Sequence, residues 1–355
     1  MFKNLHVPGT TVAGLLMVTL PALTIAQDPT DRFPRPTPLG VSISNTPSLP
    51  YIYAGTAGMR VRSFADPNKK FILSNNHVLG SVGPTLCPDT AAPGVWTLQP
   101  GTLDIGTDPG NSTFYRTGVF VKAVPLQTGT AAQNLVDAAL SYTTTALTGT
   151  EILNIGSPTV GYMMPTVGEA VTKSGRTTGV TNGTVSTVNL TVRVNYGEGC
   201  NVYTFVKQIE ITPGAFSSGG DSGSVILDTA TRIPVGLLFA GSSSSTIGNN
   251  IIAVYKNLGV YVDGASAMTE QELSAFEKNA PVDAEQKRLE AIQSRHEKRL
   301  LALANVVGIG IGREGGKYHF RVFVKKATPE TQAAVGRTLD GVSVVLVESG
   351  EFKAL

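Results

Sequence analysis

Three short segments carry the residue types needed for nucleophilic acyl transfer. Ser222 lies in Gly219-Gly220-Asp221-Ser222-Gly223-Ser224, where glycines leave the backbone free to present a hydroxyl and to turn N–H groups toward a developing oxyanion. A serine hydroxyl is a weak nucleophile at neutral pH, so it needs a base in hydrogen-bond reach and a third group that fixes the base's tautomer. His77, in Ser74-Asn75-Asn76-His77-Val78, and Asp137, in Leu135-Val136-Asp137-Ala138-Ala139-Leu140, supply those types. The oxyanion donors would be the N–H groups of Gly220 and Ser222.

Each segment sits where an element should expose it. His77 follows the apolar run Phe71-Ile72-Leu73 at the end of a polar turn, and Ser222 precedes the apolar run Val225-Ile226-Leu227. Asp137 lies among apolar residues, as expected of a carboxylate buried against an imidazole. Asp104 and Asp108 compete for that role but lie in the turn-like stretch 101–110. Of the other histidines, His6 lies near the start, and His296 and His319 lie far downstream. His319 alternates with Tyr318 and Phe320 and is expected to face outward.

Residues 36–263 read as short β-branched runs separated by Gly, Pro, Asn and Ser, with no helical repeat between them. Examples are 58–62, 71–74, 117–124, 183–194, 205–211 and 235–239. About 230 residues of this kind suit two antiparallel barrels flanking a cleft, with His77 and Asp137 in the first half and Ser222 in the second. The expected fold class is therefore mainly β. The pattern changes at Thr269: Thr269 with Glu272 and Asp283 with Gln286 have capping-box spacing, so residues 266–303 read as a charged helical connector. Leu289, Ile292, Leu300 and Leu303 return on one face of its second helix. Residues 304–355 read as a small β-β-α-β unit with a hairpin around Gly315-Gly316.

Composition excludes several functions. A net charge of +2 gives no nucleic-acid footprint, and two cysteines with four scattered histidines form no metal-ligand cluster. No cofactor is expected. Gly310-Ile311-Gly312-Arg313-Glu314-Gly315 matches the dinucleotide pattern, but a strand follows it rather than a helix, so it reads as a hairpin. Residues 1–26 carry Lys3, the apolar run 12–23 and the small-residue ending Thr24-Ile25-Ala26, which reads as a cleaved secretory signal peptide. Secreted or periplasmic localisation follows, with no membrane attachment after cleavage. There, Cys87 and Cys200 are expected to form a disulfide. Asn111, Asn182 and Asn189 begin Asn-x-Ser/Thr sequences.

The segments quoted, together with Lys173-Ser174-Gly175-Arg176-Thr177-Thr178-Gly179, resemble the chymotrypsin-like (trypsin-like) serine peptidases, bacterial secreted members in particular, across about residues 36–263. The order His, Asp, Ser is theirs. The resemblance implies two six-stranded barrels, catalysis by His77, Asp137 and Ser222 through an acyl-enzyme, and an oxyanion hole at Gly220 and Ser222. It further implies a substrate pocket walled by Phe216 and Ser217 and by Phe239, Ala240 and Gly241. No carboxylate lies in those walls, so small or apolar side chains are expected before the scissile bond. Nothing near the expected mature start matches the Ile-Val-Gly-Gly terminus of animal members, so a freed amino terminus is not expected to pair with Asp221. Two other readings remain: an inactive binding protein on this scaffold, or an esterase using the same three residues.

Overall fold

The β-branched runs form antiparallel strands because their alternating side chains pack on curled sheets, with glycine and proline confining pairing to short stretches. The computed structural model describes residues 27–46, 52–82, 87–105, 113–129, 133–280 and 283–355. The expected signal peptide, Asp108 and Asn111 lie outside these. Among the described residues, one sheet has the order Val260–Val262, Met59–Ser63, Lys70–Ser74, Ala139–Thr143, Arg116–Ala123, Trp96–Leu98, Ser42–Asn45, Gly55–Thr56. It curls around Met59, Ile72, Leu73, Val136 and Leu140.

The second sheet closes on itself. Ala170–Gly175 pairs with Val225–Asp228 on one side and Gly179–Asn195 on the other; Pro234–Gly241, Thr246–Asn250 and Val202–Thr212 complete the ring. The fold is thus mainly β, with two curled antiparallel sheets, as expected. One departure lies inside this region. Helix Ile251–Leu258 is capped by Asn250, whose side chain accepts from Ile252 N, and ends at Gly259 with φ 70°. Its apolar residues Ile251, Ile252, Val254, Tyr255 and Leu258 pack in the first core, and the strand after it joins the first sheet, so the chain's second half completes its first barrel.

Thr269 and Glu272 form a capping box at helix Glu270–Asn279, and Asp283 caps helix Ala284–Leu301. Leu289, Ile292 and Leu300 of the second helix pack on Ile309, Ile311 and Phe320. The downstream hairpin, Val306–Glu314 with Lys317–Val324, does not stand apart: its first strand pairs with Gly179–Asn195 and extends the second sheet, to which Val342–Glu348 adds in parallel. His319 is buried, 7% exposed, rather than outward-facing, on a strand paired along both edges, with Val306–Glu314 and with Val342–Glu348. Burial, with Arg321 nearby, lowers its pKa. A last short strand, Phe352–Ala354, had no expectation in the sequence.

Candidate active site

Strand register brings His77 and Asp137 together. Ser74, the last residue of its strand, pairs with Ala139, the first of its neighbour, so the chain leaving one and entering the other run side by side. His77 follows Ser74 by three residues, and Asp137 precedes Ala139 by two. Asp137 Oδ2 lies 2.6 Å from His77 Nδ1 and accepts the Tyr196 hydroxyl at 2.6 Å; Oδ1 accepts Asn76 N at 2.6 Å and His77 N at 3.2 Å. The carboxylate is 0% exposed, and these bonds offset the cost of burying its charge. Burial, reinforced by the Asp137 carboxylate, raises the Tyr196 phenol pKa well above its ordinary value, so it stays protonated and donates.

A polar chain holds Asp137 from behind. Its N–H donates to Asn249 Oδ1 at 3.0 Å, and Asn249 Nδ2 donates to Gln208 Oε1 at 2.7 Å. Both residues belong to the second barrel, as does Tyr196. Asp104, the competing carboxylate, is committed elsewhere: it pairs bidentately with Arg176 at 2.5 and 2.7 Å.

Ser222 sits in a turn before strand Val225–Asp228 and is clamped by the first barrel, with Thr56 N donating to Ser222 O at 2.7 Å and Thr56 Oγ1 to Gly220 O at 2.9 Å. Gly223 has φ 95°, and a side chain there would collide with Ser74 and Thr56. Gly220 has φ 96°. Among the described residues the N–H groups of Gly220 and Ser222 have no hydrogen-bond partner, so both remain free to donate. Ser222 Oγ donates to Phe239 O at 3.2 Å and makes no hydrogen bond to His77.

Asp221 is satisfied within the barrel. It accepts Thr177 N at 2.8 Å, Thr178 N at 3.2 Å, Ser218 N at 2.9 Å and Thr178 Oγ1 at 2.7 Å, with the buried Lys173 ammonium 3.5 Å away. Burial lowers the Lys173 pKa and Asp221 opposes that shift.

The expected pocket segments lie beside Ser222. Phe216, in a 3₁₀ turn Gly214–Phe216, is fully buried; Ser217 Oγ bonds Thr246 Oγ1 at 2.5 Å; and Phe239, Ala240 and Gly241 end strand Pro234–Gly241. Lys173 Nζ is 5.8 Å from the Phe216 ring but is held by Asp221 and Gly179 O. Cys87 and Cys200 are bonded to each other, 113 residues apart in sequence. Sequence reasoning missed Tyr196, Asn249 and Gln208, none of which lies in a recognisable motif, and gave Lys173, which opens the segment 173–179, no role. Leu355 was also missed: its carbonyl oxygen lies 3.3 Å from His77 Nε2.

No family model matches the sequence, and no curated protein matches it. Similar solved structures include a chymotrypsin of Cellulomonas bogoriensis, 19% identical over 64% of this chain and 99% of that one, with a TM-score of 0.41. Protease A of Thermobifida fusca is 19% identical over 64% of this chain and 98% of that one, with a TM-score of 0.42. A Nocardiopsis protease is 17% identical over the same shares, with a TM-score of 0.42.

Proposed function

We propose that this chain is a secreted or periplasmic serine endopeptidase acting on peptide or protein substrates through His77, Asp137 and Ser222. The observation that carries this reading is the His77–Asp137 contact of 2.6 Å, together with backbone N–H groups of Gly220 and Ser222 that have no partner among the described residues. Asp137 holds the imidazole with Nδ1–H toward itself, leaving the Nε2 lone pair to receive a proton. Rotation of Ser222 about its χ1 bond frees the hydroxyl from Phe239 O for attack on a peptide carbonyl.

In that step the Ser222 oxygen bonds to the carbonyl carbon while its proton passes to His77 Nε2. The oxygen charge that develops is met by the N–H groups of Gly220 and Ser222. The tetrahedral species collapses as the C–N bond breaks and His77 returns the proton to the leaving amine. Water, giving a proton to His77, then attacks the acyl carbon; the bond to Ser222 Oγ breaks as His77 returns that proton to the serine oxygen, and the acid is released. The pocket walls carry no carboxylate, which supports small or apolar side chains before the scissile bond.

Labelling with a fluorophosphonate, followed by peptide mass spectrometry, tests the reading. Covalent adduct at Ser222 is expected; an unlabelled folded protein would leave a binding scaffold. Casein against a simple ester then separates peptidase from esterase.

A further inference from the structure

The strand Phe352–Ala354 and Leu355 lie in the cleft beside His77. Ala354 pairs with Ala240 and Lys353 with Gly241, antiparallel, along the end of strand Pro234–Gly241. On its other edge the segment runs parallel to Gly179–Asn195, with Phe352 opposite Val194 and Lys353 opposite Asn195. Leu355 N donates to Phe239 O at 3.3 Å, the oxygen that also accepts Ser222 Oγ at 3.2 Å. An extended backbone thus reaches the nucleophile from the strand that walls the pocket.

Leu355 is partly buried against the cluster that contains Phe216 and Leu238, and its Cδ1 would lie 2.9 Å from a Cβ placed on Gly241. Its carbonyl oxygen faces His77 Nε2 at 3.3 Å. The contact fills the space beside Nε2. Phe352 sets the register: it is 1% exposed, packed edge-on to Phe323 at 5.8 Å, in a cluster with Val194, Tyr196 and Phe239. Lys353 points to solvent. With this segment seated, His77 is 4% and Ser222 0% exposed.

We infer that residues 352–355 are a built-in occupant of the cleft, bound as the acyl side of a peptide would be, and that the cleft recognises extended segments of the pattern apolar–any–small–Leu. This rests on the peptidase reading only for its chemistry; the recognition stands on pairing and packing. A tethered segment competes at an effective concentration of about millimolar, so a free peptide must displace it. The segment therefore both reports the preferred side chains and holds the enzyme closed.

The test compares binding of acetyl-Phe-Lys-Ala-Leu, with a free carboxylate, to the full chain and to its Leu355→Asp variant by calorimetry. The variant sets a carboxylate against an apolar wall without a partner, which should release the segment while leaving Phe352 packed. The peptide should bind the variant about tenfold or more tightly than it binds the unsubstituted chain, since an occupied site lowers apparent affinity by its free fraction. Acetyl-Phe-Lys-Ala-Asp should bind neither. Equal affinity for the two chains, or no binding to either, overturns the inference.

Should the variant not fold, amide hydrogen exchange on the unsubstituted chain decides. Saturating peptide should speed exchange at Leu355, and unchanged exchange with peptide bound overturns the inference. Peptide binding without cleavage of longer peptides containing the same sequence would sink the peptidase reading alone. Cleavage with no competition by the tetrapeptide would sink this inference alone.

Discussion

The Tyr196 hydroxyl donates to the Asp137 oxygen that also faces His77 Nδ1, both at 2.6 Å, so a residue of the second barrel fixes the carboxylate presented by the first. The hydrogen bond spans the interface on which the proposed chemistry depends. Its partners are all buried, so each donor lost there is felt in full.

Removing that donor gives a graded prediction. Tyr196→Phe should cost about 1.5–3 kcal/mol of stability, the scale of a hydrogen bond to a charged group. Its fall in kcat should be far smaller than that of Asp137→Asn, for which loss of the correct tautomer implies ~10⁴-fold. Denaturant melts and steady-state kinetics on both variants check the order; equal losses of kcat would show that Tyr196 does more than position.

Ser222→Ala and His77→Ala should each remove nearly all hydrolysis while the melting temperature changes little, because residues that act as a unit lose the whole effect when one is lost. The double variant should be no slower than either alone. Substantial turnover by either single variant would contradict the assignment.

Gly241 leaves room for the side chain that lies against it. In Gly241→Val the new Cβ would stand 2.9 Å from Leu355 Cδ1 and 3.2 Å from Ser245 O. Activity on substrates with leucine before the cleaved bond should fall more than activity on those with alanine there. A ranking of peptide kcat/KM values in the variant measures this, and an unchanged ranking would mean the pocket lies elsewhere.

Reduction of Cys87–Cys200 should destabilise the protein by about 4–5 kcal/mol on the loop-entropy model. The link joins the first barrel to the hairpin that carries Tyr196, so the reduced protein should also lose activity before it unfolds. Parallel denaturant titrations of activity and fluorescence with and without reductant show whether the two losses separate.

Alkaline pH should loosen the fold. Burial raises the phenol pKa values of Tyr53, Tyr196 and Tyr255, and pushes that of Tyr162 up to about 12. A raised folded-state value means the unfolded chain ionises first, so the stability these residues provide is intact below the exposed phenol value near 10 and falls as pH rises above it. Lys173 works in the opposite sense: its lowered pKa means that relief of its buried charge adds stability as pH approaches the free lysine value. With four tyrosines against one lysine, the denaturation midpoint should drop above about pH 10. A midpoint that rises there would overturn the balance.

The local chemistry of this protein is written in short stretches of sequence. Glycines around Ser222, an apolar strand before His77, apolar flanks at Asp137 and capping-box residues at Thr269 act within a few positions, so each could be read without knowing what the chain folds against. The β-rich plan was legible for the same reason, since turn residues and β-branched runs set strand lengths locally. What partners each segment is decided by closure of the sheets. Tyr196 and Asn249 reach Asp137 from 59 and 112 residues away in sequence, Gln208 holds Asn249 from 41 residues away, and none carries a motif because any strand could present such side chains. The burial of His319 followed from the hairpin joining the second barrel, and the seat of Leu355 beside His77, 278 residues away, followed from a two-sided pairing of the last strand. Hydrogen-bonded edges are chemically alike in every strand, so only closure of the barrel, in which Val225–Asp228 pairs no further along Pro234–Gly241 than Leu237, selects which segment lies at its end.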